Sequence, residues 1–289
     1  MTYTLFLGDR SYSSWSLRAW LMFDIIQVPV KTQMVGLYAG TLEADLAPLA
    51  PARLVPVLRM PEGVVVGDTL AIAETLAERH PEAGLWPEDP AARALARWIV
   101  AEMHSGFHAL REACPMMLHH AWVGFQAGAA VRADLMRIEE LWSIARERHG
   151  TPARPWLFGE YCLADVFFAP VATRIATYGL RVGDKASAYV TAHLADPAFR
   201  RWRAMGEAKA RTPPPYAQDL AKAAWPGPEI RGAHARDHGP SENDLCPYSG
   251  DPVTHFLETG DRVFGFCNEF CRDKTLADPD AWPAFAQLL

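Results

Sequence analysis

The sequence predicts an α/β domain, then an all-helical domain, then a small cysteine-bearing appendage. Three observations carry this. Short apolar runs alternate with helical periodicity over the first 80 residues in the order βαβαββα. From Glu88 the strand signals stop and long helical segments follow. The stretch 244–289 then gathers three of the five cysteines and eight acidic against three basic residues, a net charge of −5 out of −6 for the whole chain. A length of 289 residues fits two domains with an appendage, since domains usually run about 100–200 residues.

Tyr3 to Gly8 is a short apolar run ending at glycine and reads as a buried strand. Ser13 to Ile26 reads as a helix: Ser13 or Ser14 can cap it, and Trp15, Ala19, Met22 and Ile26 recur on one face. Val30 to Met34 follows Pro29 as a second strand, and Thr41 to Leu49 is a short helix. Pro56–Met60 and Val64–Val66 flank Pro61-Glu-Gly63 and read as a hairpin, and Asp68 to Arg79 is a helix with an acidic cap. Beyond a boundary between Pro81 and Pro90, helices are expected over about 90–112, 130–149, 163–178 and 196–209, with no strand. From Thr212-Pro-Pro-Pro-Tyr216 to Asn243 the chain is rich in Pro, Gly and His, which predicts an extended tether. The expected divisions are therefore 1–81, 90–211, a linker over 212–243, and 244–289.

Composition narrows the function. With 50% hydrophobic and 21% charged residues the chain can build real cores and is not a disordered protein. No apolar run approaches the ~20 residues of a membrane-spanning helix. The N-terminus lacks the basic and long apolar regions of a secretion signal, so a cytoplasmic protein is expected. The net charge of −6 argues against nucleic acid and anionic membranes as partners. Five cysteines, an odd number, make a disulfide framework a poor expectation.

Three positions in the first domain point to chemistry. Ser13 and Ser14 stand where the first strand hands over to a helix. A helix N-terminus stabilises an anion, and a hydroxyl there can donate to a thiolate and lower a thiol pKa from ~8.5 toward neutrality. Either serine could equally be only a helix cap. Val55-Pro56 enters a strand where a cis peptide would offer the Val55 backbone to an extended peptide; an ordinary strand-entry proline is the alternative. Asp68-Thr69 opens a helix where a carboxylate could meet an ammonium group and a hydroxyl a carboxylate; a plain Asp cap is the alternative.

Together these motifs resemble glutathione transferases. Residues 1–80 resemble the thioredoxin-like domain of that family and the following helices its all-α C-terminal domain, the likeness extending to about residue 210. Ser13-Ser-Trp-Ser-Leu-Arg18 looks like the Ser-Ser-Cys-Ser motif of zeta-class enzymes, with Trp15 in place of Cys. The resemblance implies glutathione as cofactor, Ser13 as thiol-activating serine with Ser14 sharing the role, and a small electrophilic substrate in a homodimeric enzyme. It also implies that Val55-Pro56 is the family's Val-cis-Pro, that Asp68-Thr69 holds the γ-glutamyl end, and that Arg53 lies near the glycyl carboxylate. Cys162-Leu-Ala-Asp165 resembles the family's capping box, with Cys162 replacing the hydroxyl. A second pocket is expected around Trp98, His104, His108 and Met116. Maleylacetoacetate-type isomerisation and peroxide or disulfide reduction stay open, as does a non-catalytic scaffold of the same fold.

The C-terminal stretch carries Cys246, then Cys267 after 20 residues, then Cys271 as C-x₃-C, around a hairpin of Val253–Leu257 and Arg262–Phe266. A knuckle before a hairpin and a helix after it bring thiols together, and soft thiolates favour zinc or copper(I). So small a unit gains from a metal staple. The segment resembles the YHS/TRASH-type metal module, a small treble-clef-like fold, except that Ser249 stands where four-cysteine relatives have a second Cys. A vestigial fold with no metal is the alternative.

Overall fold

Every residue of β1 (Tyr3–Leu7) is buried, which fixes it as a central strand. In the computed structural model, which describes residues 2–209 and 212–289, it leads into α1 (Ser14–Ile26) and a parallel partner β2 (Val30–Met34), with Tyr3 opposite Val30 and Leu7 opposite Met34. After the short α2 (Leu42–Leu46), β3 (Val57–Arg59) pairs antiparallel with β1, and β4 (Val65–Gly67) pairs antiparallel with β3. The sheet order is β2-β1-β3-β4, and α3 (Thr69–Arg79) closes the domain. Leu17, Ala19, Leu21 and Met22 of α1 are fully buried, as are Ile72, Ala73 and Leu76 of α3. The mixed α/β sheet domain thus follows the expected order element by element.

The helical region differs in detail. The segment expected as one helix over 90–112 is two, α4 (Pro90–Ser105) and α5 (His108–Ala113). The break falls at Gly106 and at Phe107, whose φ is +56°, a left-handed conformation that ends a helix. A strand, β5 (Ala121–Val123), then follows where none was expected. The helices α6 (Ala129–His149), α7 (Leu163–Thr177), α8 (Asp184–Ala195) and α9 (Pro197–Glu207) complete the region. Of these, α8 has no counterpart in the sequence reading. No helix among the described residues is long and apolar enough to cross a membrane.

The proline-rich stretch is not a free tether. Residues Ala221–Ala223 form β6, which pairs antiparallel with β5, and His234–Arg236 form β7, which pairs with β8 (His255–Thr259). Proline blocks a helix but leaves short runs between prolines free to add to a sheet edge. Consequently the compact units divide the chain differently from the expected boundaries. One is Met1–His193 with Thr212–Pro226; the other is Leu194–Arg211 with Gly227–Leu289. The helix α9 belongs to the second unit because Ala204 is a member of its core.

In that second unit β8 pairs with β9 (Arg262–Phe266), giving the sheet β7-β8-β9, followed by α10 (Glu269–Ala277) and α11 (Pro283–Ala286). Phe264, Phe266, Phe285, Leu257, Trp282, Cys246 and Cys271 form its core. Gly265 lets β9 pass against Val253, where a Cβ would come within 2.6 Å. The Asp278 carboxylate, 5% exposed, takes both fork nitrogens of Arg200 at 2.8 and 2.6 Å, tying α9 to the turn before α11.

Candidate active site and thiol cluster

A cleft of about 420 Å³ is lined by Trp15, by the segment Pro51–Pro56, by Gly67–Thr69 and by His104. Arg53, Val55-Pro56 and Asp68-Thr69, which lie apart in sequence, therefore share one cavity. The fold brings them together at one edge: Gly8, at the end of β1, passes so close to Leu37 and Val55 that a Cβ would meet them at 2.8 and 3.0 Å. The Val55–Pro56 peptide is cis. Among the described residues none hydrogen-bonds the Val55 backbone N–H or C=O, so both remain open to an extended peptide added alongside. Arg53 is exposed and makes no ion pair among the described residues.

Asp68 is held firmly. Its φ of +66° is unusual for a residue with a Cβ. The carboxylate offsets that strain as the N-cap of α3: Oδ1 accepts from Leu70 N at 2.8 Å and Ala71 N at 3.2 Å. The other oxygen, Oδ2, lies 3.1 Å from His104 Nε2. His104 was expected in the second pocket; the structure places it in this cleft, edge-on to Trp15 at 5.1 Å.

The two serines separate. Ser13, only 7% exposed, turns inward. Its Oγ accepts from Ser16 N at 3.3 Å and donates to Ser16 Oγ at 2.8 Å, which in turn accepts from Gly8 N at 2.9 Å. Ser13 is thus occupied as a helix cap. Ser14 is half-buried, and its Oγ accepts a long bond, 3.4 Å, from Arg174 Nη2. Its hydroxyl proton finds no acceptor among the described residues.

Around Ser14 and Trp15 the structure gathers three guanidinium groups that the sequence reading did not single out. Arg18 lies 4.4 Å and Arg111 5.0 Å from the centre of the Trp15 ring. Arg18 also donates to Phe167 O at 2.9 Å and Ser14 O at 3.2 Å, while its Nη2 is buried with no hydrogen-bond partner. Arg174 donates to Cys114 O at 2.9 Å and Pro170 O at 3.1 Å. Burial first, and then mutual repulsion, pull the Arg18 pKa well below its ordinary value and bring Arg174 down to about 10. One signal was present in the sequence: an arginine inside the apolar run Leu163–Thr177.

Asp165, fully buried, accepts from Leu157 N, Cys162 N and Tyr189 Oη, so the capping box forms with cysteine in the hydroxyl's place. Burial raises its pKa to about 6 against those bonds. Cys114 is also buried, and its thiol is pushed up to about 12. Neither cysteine lines the cleft.

In the second unit Cys246, Cys267 and Cys271 place their three sulfurs within 4.8 Å of one another, with Cys267 and Cys271 3.9 Å apart. Tetrahedral thiolate ligands at about 2.3 Å from zinc lie about 3.8 Å from each other, so the cluster fits such an ion. Burial alone would raise the Cys246 pKa, but backbone N–H groups of Cys267, Tyr248 and Ser249 outweigh it and bring it to about 7. Burial pushes Cys271 the other way, up to about 12. Ser249 Oγ stands 3.2 Å from Cys267 Sγ, donating to it.

Comparison with known proteins agrees with the first unit's geometry. Residues 12–79 match the family described as "Glutathione S-transferase, N-terminal domain". A maleylacetoacetate isomerase of Pseudomonas aeruginosa is 30% identical over 166 residues, 52% of this chain and 74% of that one. A probable maleylacetoacetate isomerase of Caenorhabditis elegans is 37% identical over 101 residues, 35% of this chain and 46% of its own. The chain thus spans about half the length of most of the curated relatives it matches. A glutathione transferase homolog from Burkholderia, crystallised with bound glutathione, superposes with a TM-score of 0.53 at 26% identity, covering 71% of this chain and 98% of that one. With the Pseudomonas aeruginosa relative covered across 74% of its length and the sheet order in agreement, the chain belongs to the glutathione S-transferase family.

Proposed function

We propose that the chain is a glutathione-dependent transferase whose thiolate is stabilised by Ser14, with Ser13 as the structural cap beneath it. The observation that carries this is the single cleft joining Arg53, Val55-Pro56 and Asp68-Thr69 beside Trp15. Glutathione supplies a cysteinyl backbone for Val55, an ammonium for Asp68, and carboxylates for Thr69 and for Arg53. The electrophile is small and carries an anionic group, a reading supported by the three guanidinium groups gathered around Trp15 and Ser14 at the edge of the cleft's lining. The relatives named as maleylacetoacetate isomerases make isomerisation of a maleyl-type carboxylate one such reaction: the thiolate adds to the C=C bond, the new single bond rotates, and the same thiolate leaves. Turnover with glutathione is the test. Anionic electrophiles should react faster than neutral ones of equal reactivity, and Ser14→Ala should lose most turnover; an unchanged Ser14→Ala rate overturns the assignment. A cytoplasmic homodimer goes with this reading. All five cysteines are free, and Trp98 on α4 and Met136 on α6 are exposed apolar side chains that suit a second copy.

A second reading concerns the thiol cluster, and its support is the spacing of the three sulfurs. Cys246, Cys267 and Cys271 would hold zinc or copper(I), a metal acting as a fold staple. Metal content of the reduced full-length protein should fall in Cys267→Ser. A reduced, folded protein that takes up neither ion ends this reading.

A further inference from the structure

We propose that Arg174 is the positioning residue that orients the Ser14 hydroxyl toward a bound thiolate, with Arg18 and Arg111 holding the surrounding field positive. This rests on the glutathione reading above and assigns a role to a residue outside the cleft itself.

A serine hydroxyl has one proton and two lone pairs, and it stabilises a thiolate only when the proton faces the sulfur. Arginine is donor-only, so an Arg that binds the oxygen occupies a lone pair and excludes its side from the proton. Arg174 Nη2 is placed to do this at 3.4 Å. Its position is not set by Ser14. Its Nε and Nη1 are fixed by Cys114 O and Pro170 O at 2.9 and 3.1 Å, in the interior of α7 and the turn after α5. The guanidinium therefore reaches Ser14 from a rigid mount, which is how a supporting group keeps a catalytic hydroxyl in one orientation.

The charged side chains acting on Arg174 and Arg18 include other arginines, while Arg111 also feels Glu112. The groups that face Arg174 are Arg111 from α5, Cys114 from the end of that helix, Tyr178 after α7 and Tyr216. Arg18 of α1 faces it from the other side. Gathering three buried or half-buried cations is costly, and Glu112 beside Arg111 offsets only part of it; Arg18 Nη2 has no hydrogen-bond partner among the described residues. A bound anion relieves that cost. The thiolate is the anion the Ser14 hydroxyl can reach, and the positive field favours its ionised form.

The test is the pH titration of glutathione bound to the full-length protein, read by ultraviolet thiolate absorbance, with the dissociation constant measured alongside. Arg174→Gln should raise the pKa of the bound thiol by about one unit, hence about fivefold less thiolate at pH 7 for a thiol that titrates near neutrality, while glutathione affinity changes little. Arg174→Lys, which keeps a cation but lacks the planar fork whose separate nitrogens reach Cys114 O, Pro170 O and Ser14 Oγ, should fall between. In a Ser14→Ala background Arg174→Gln should add no further shift. An unshifted titration in Arg174→Gln, or a full shift that persists without Ser14, overturns the proposal. If the buried substitutions do not fold, a glutathione-bound crystal structure of the unmodified protein decides: Arg174 turned away from Ser14 Oγ contradicts it. Failure of the unmodified protein to bind glutathione would instead overturn the underlying reading.

Discussion

Replacing Ser13 by alanine and, separately, Ser14 by alanine should produce opposite phenotypes. Ser13→Ala removes the N-cap of α1, worth about 1 kcal/mol, and leaves Ser16 without its buried partner, worth about another. A loss of about 2 kcal/mol lowers the melting temperature of a unit of this size by about 4–8 °C. The Ser14 hydroxyl is half-buried and makes one long bond, so Ser14→Ala should change stability by no more than about 0.5 kcal/mol. Removing a hydrogen bond to an anion, however, costs about 2–3 kcal/mol in the state that carries the charge, about 30- to 160-fold in turnover. Thermal unfolding and steady-state conjugation rates on both variants give the four numbers. A Ser13→Ala protein that melts like the parent but has lost turnover would refute this division of labour.

Other outcomes follow from buried groups. His193 has both ring nitrogens buried without partners, and burial pulls its pKa from 6.5 to about 3. A folded pKa below the unfolded one means stability is present above pH 6.5 and lost as pH falls toward 3. By pH 5 the loss is about 2 kcal/mol. The difference in unfolding free energy between the parent protein and His193→Phe should narrow or grow by that amount between pH 8 and pH 5, always against the parent at the acid end; a pH-independent difference contradicts it. Asp165, raised to about 6, works in the opposite sense over roughly pH 4–6, so the His193→Phe protein should lose stability as pH rises through that window. In the second unit, Arg200→Ala removes both fork hydrogen bonds to the buried Asp278, which keeps the attraction of Arg203, and should cost about 2–3 kcal/mol, read from denaturant unfolding of parent and variant.

Much of the first domain was legible because local and tertiary preferences agree there. The run Tyr3–Leu7 is apolar but for Thr4 and becomes a strand buried throughout, and the hairpin turn at Pro61-Glu-Gly63 sits where the residues require it. Position along the chain could also nominate Val55, Pro56, Asp68 and Thr69, which lie at or just before an element's start, whereas Arg53 rests on the family resemblance alone. It could not separate Ser13 from Ser14: adjacent helix-start residues point in different directions, and only the Ser16 and Gly8 contacts show which hydroxyl is used up. His104 and Arg174 reach the site across long sequence separations, 36 residues from Asp68 and 160 from Ser14, which no local pattern reports. The strands β5 and β6 failed for a related reason. Each is three residues long and is stabilised by the other, almost 100 residues away. The three C-terminal cysteines were legible as a set because their hairpin is local.

Glutathione is expected in the cleft between Trp15 and Asp68 with its sulfur at Ser14. The most direct measurement is a crystal structure of the full-length protein soaked with glutathione. The account predicts the cysteinyl backbone paired with Val55, the γ-glutamyl end at Asp68 and Thr69, and the sulfur within hydrogen-bond reach of Ser14 Oγ. An empty cleft at saturating glutathione, or a sulfur directed at Ser13 or away from both serines, would contradict it.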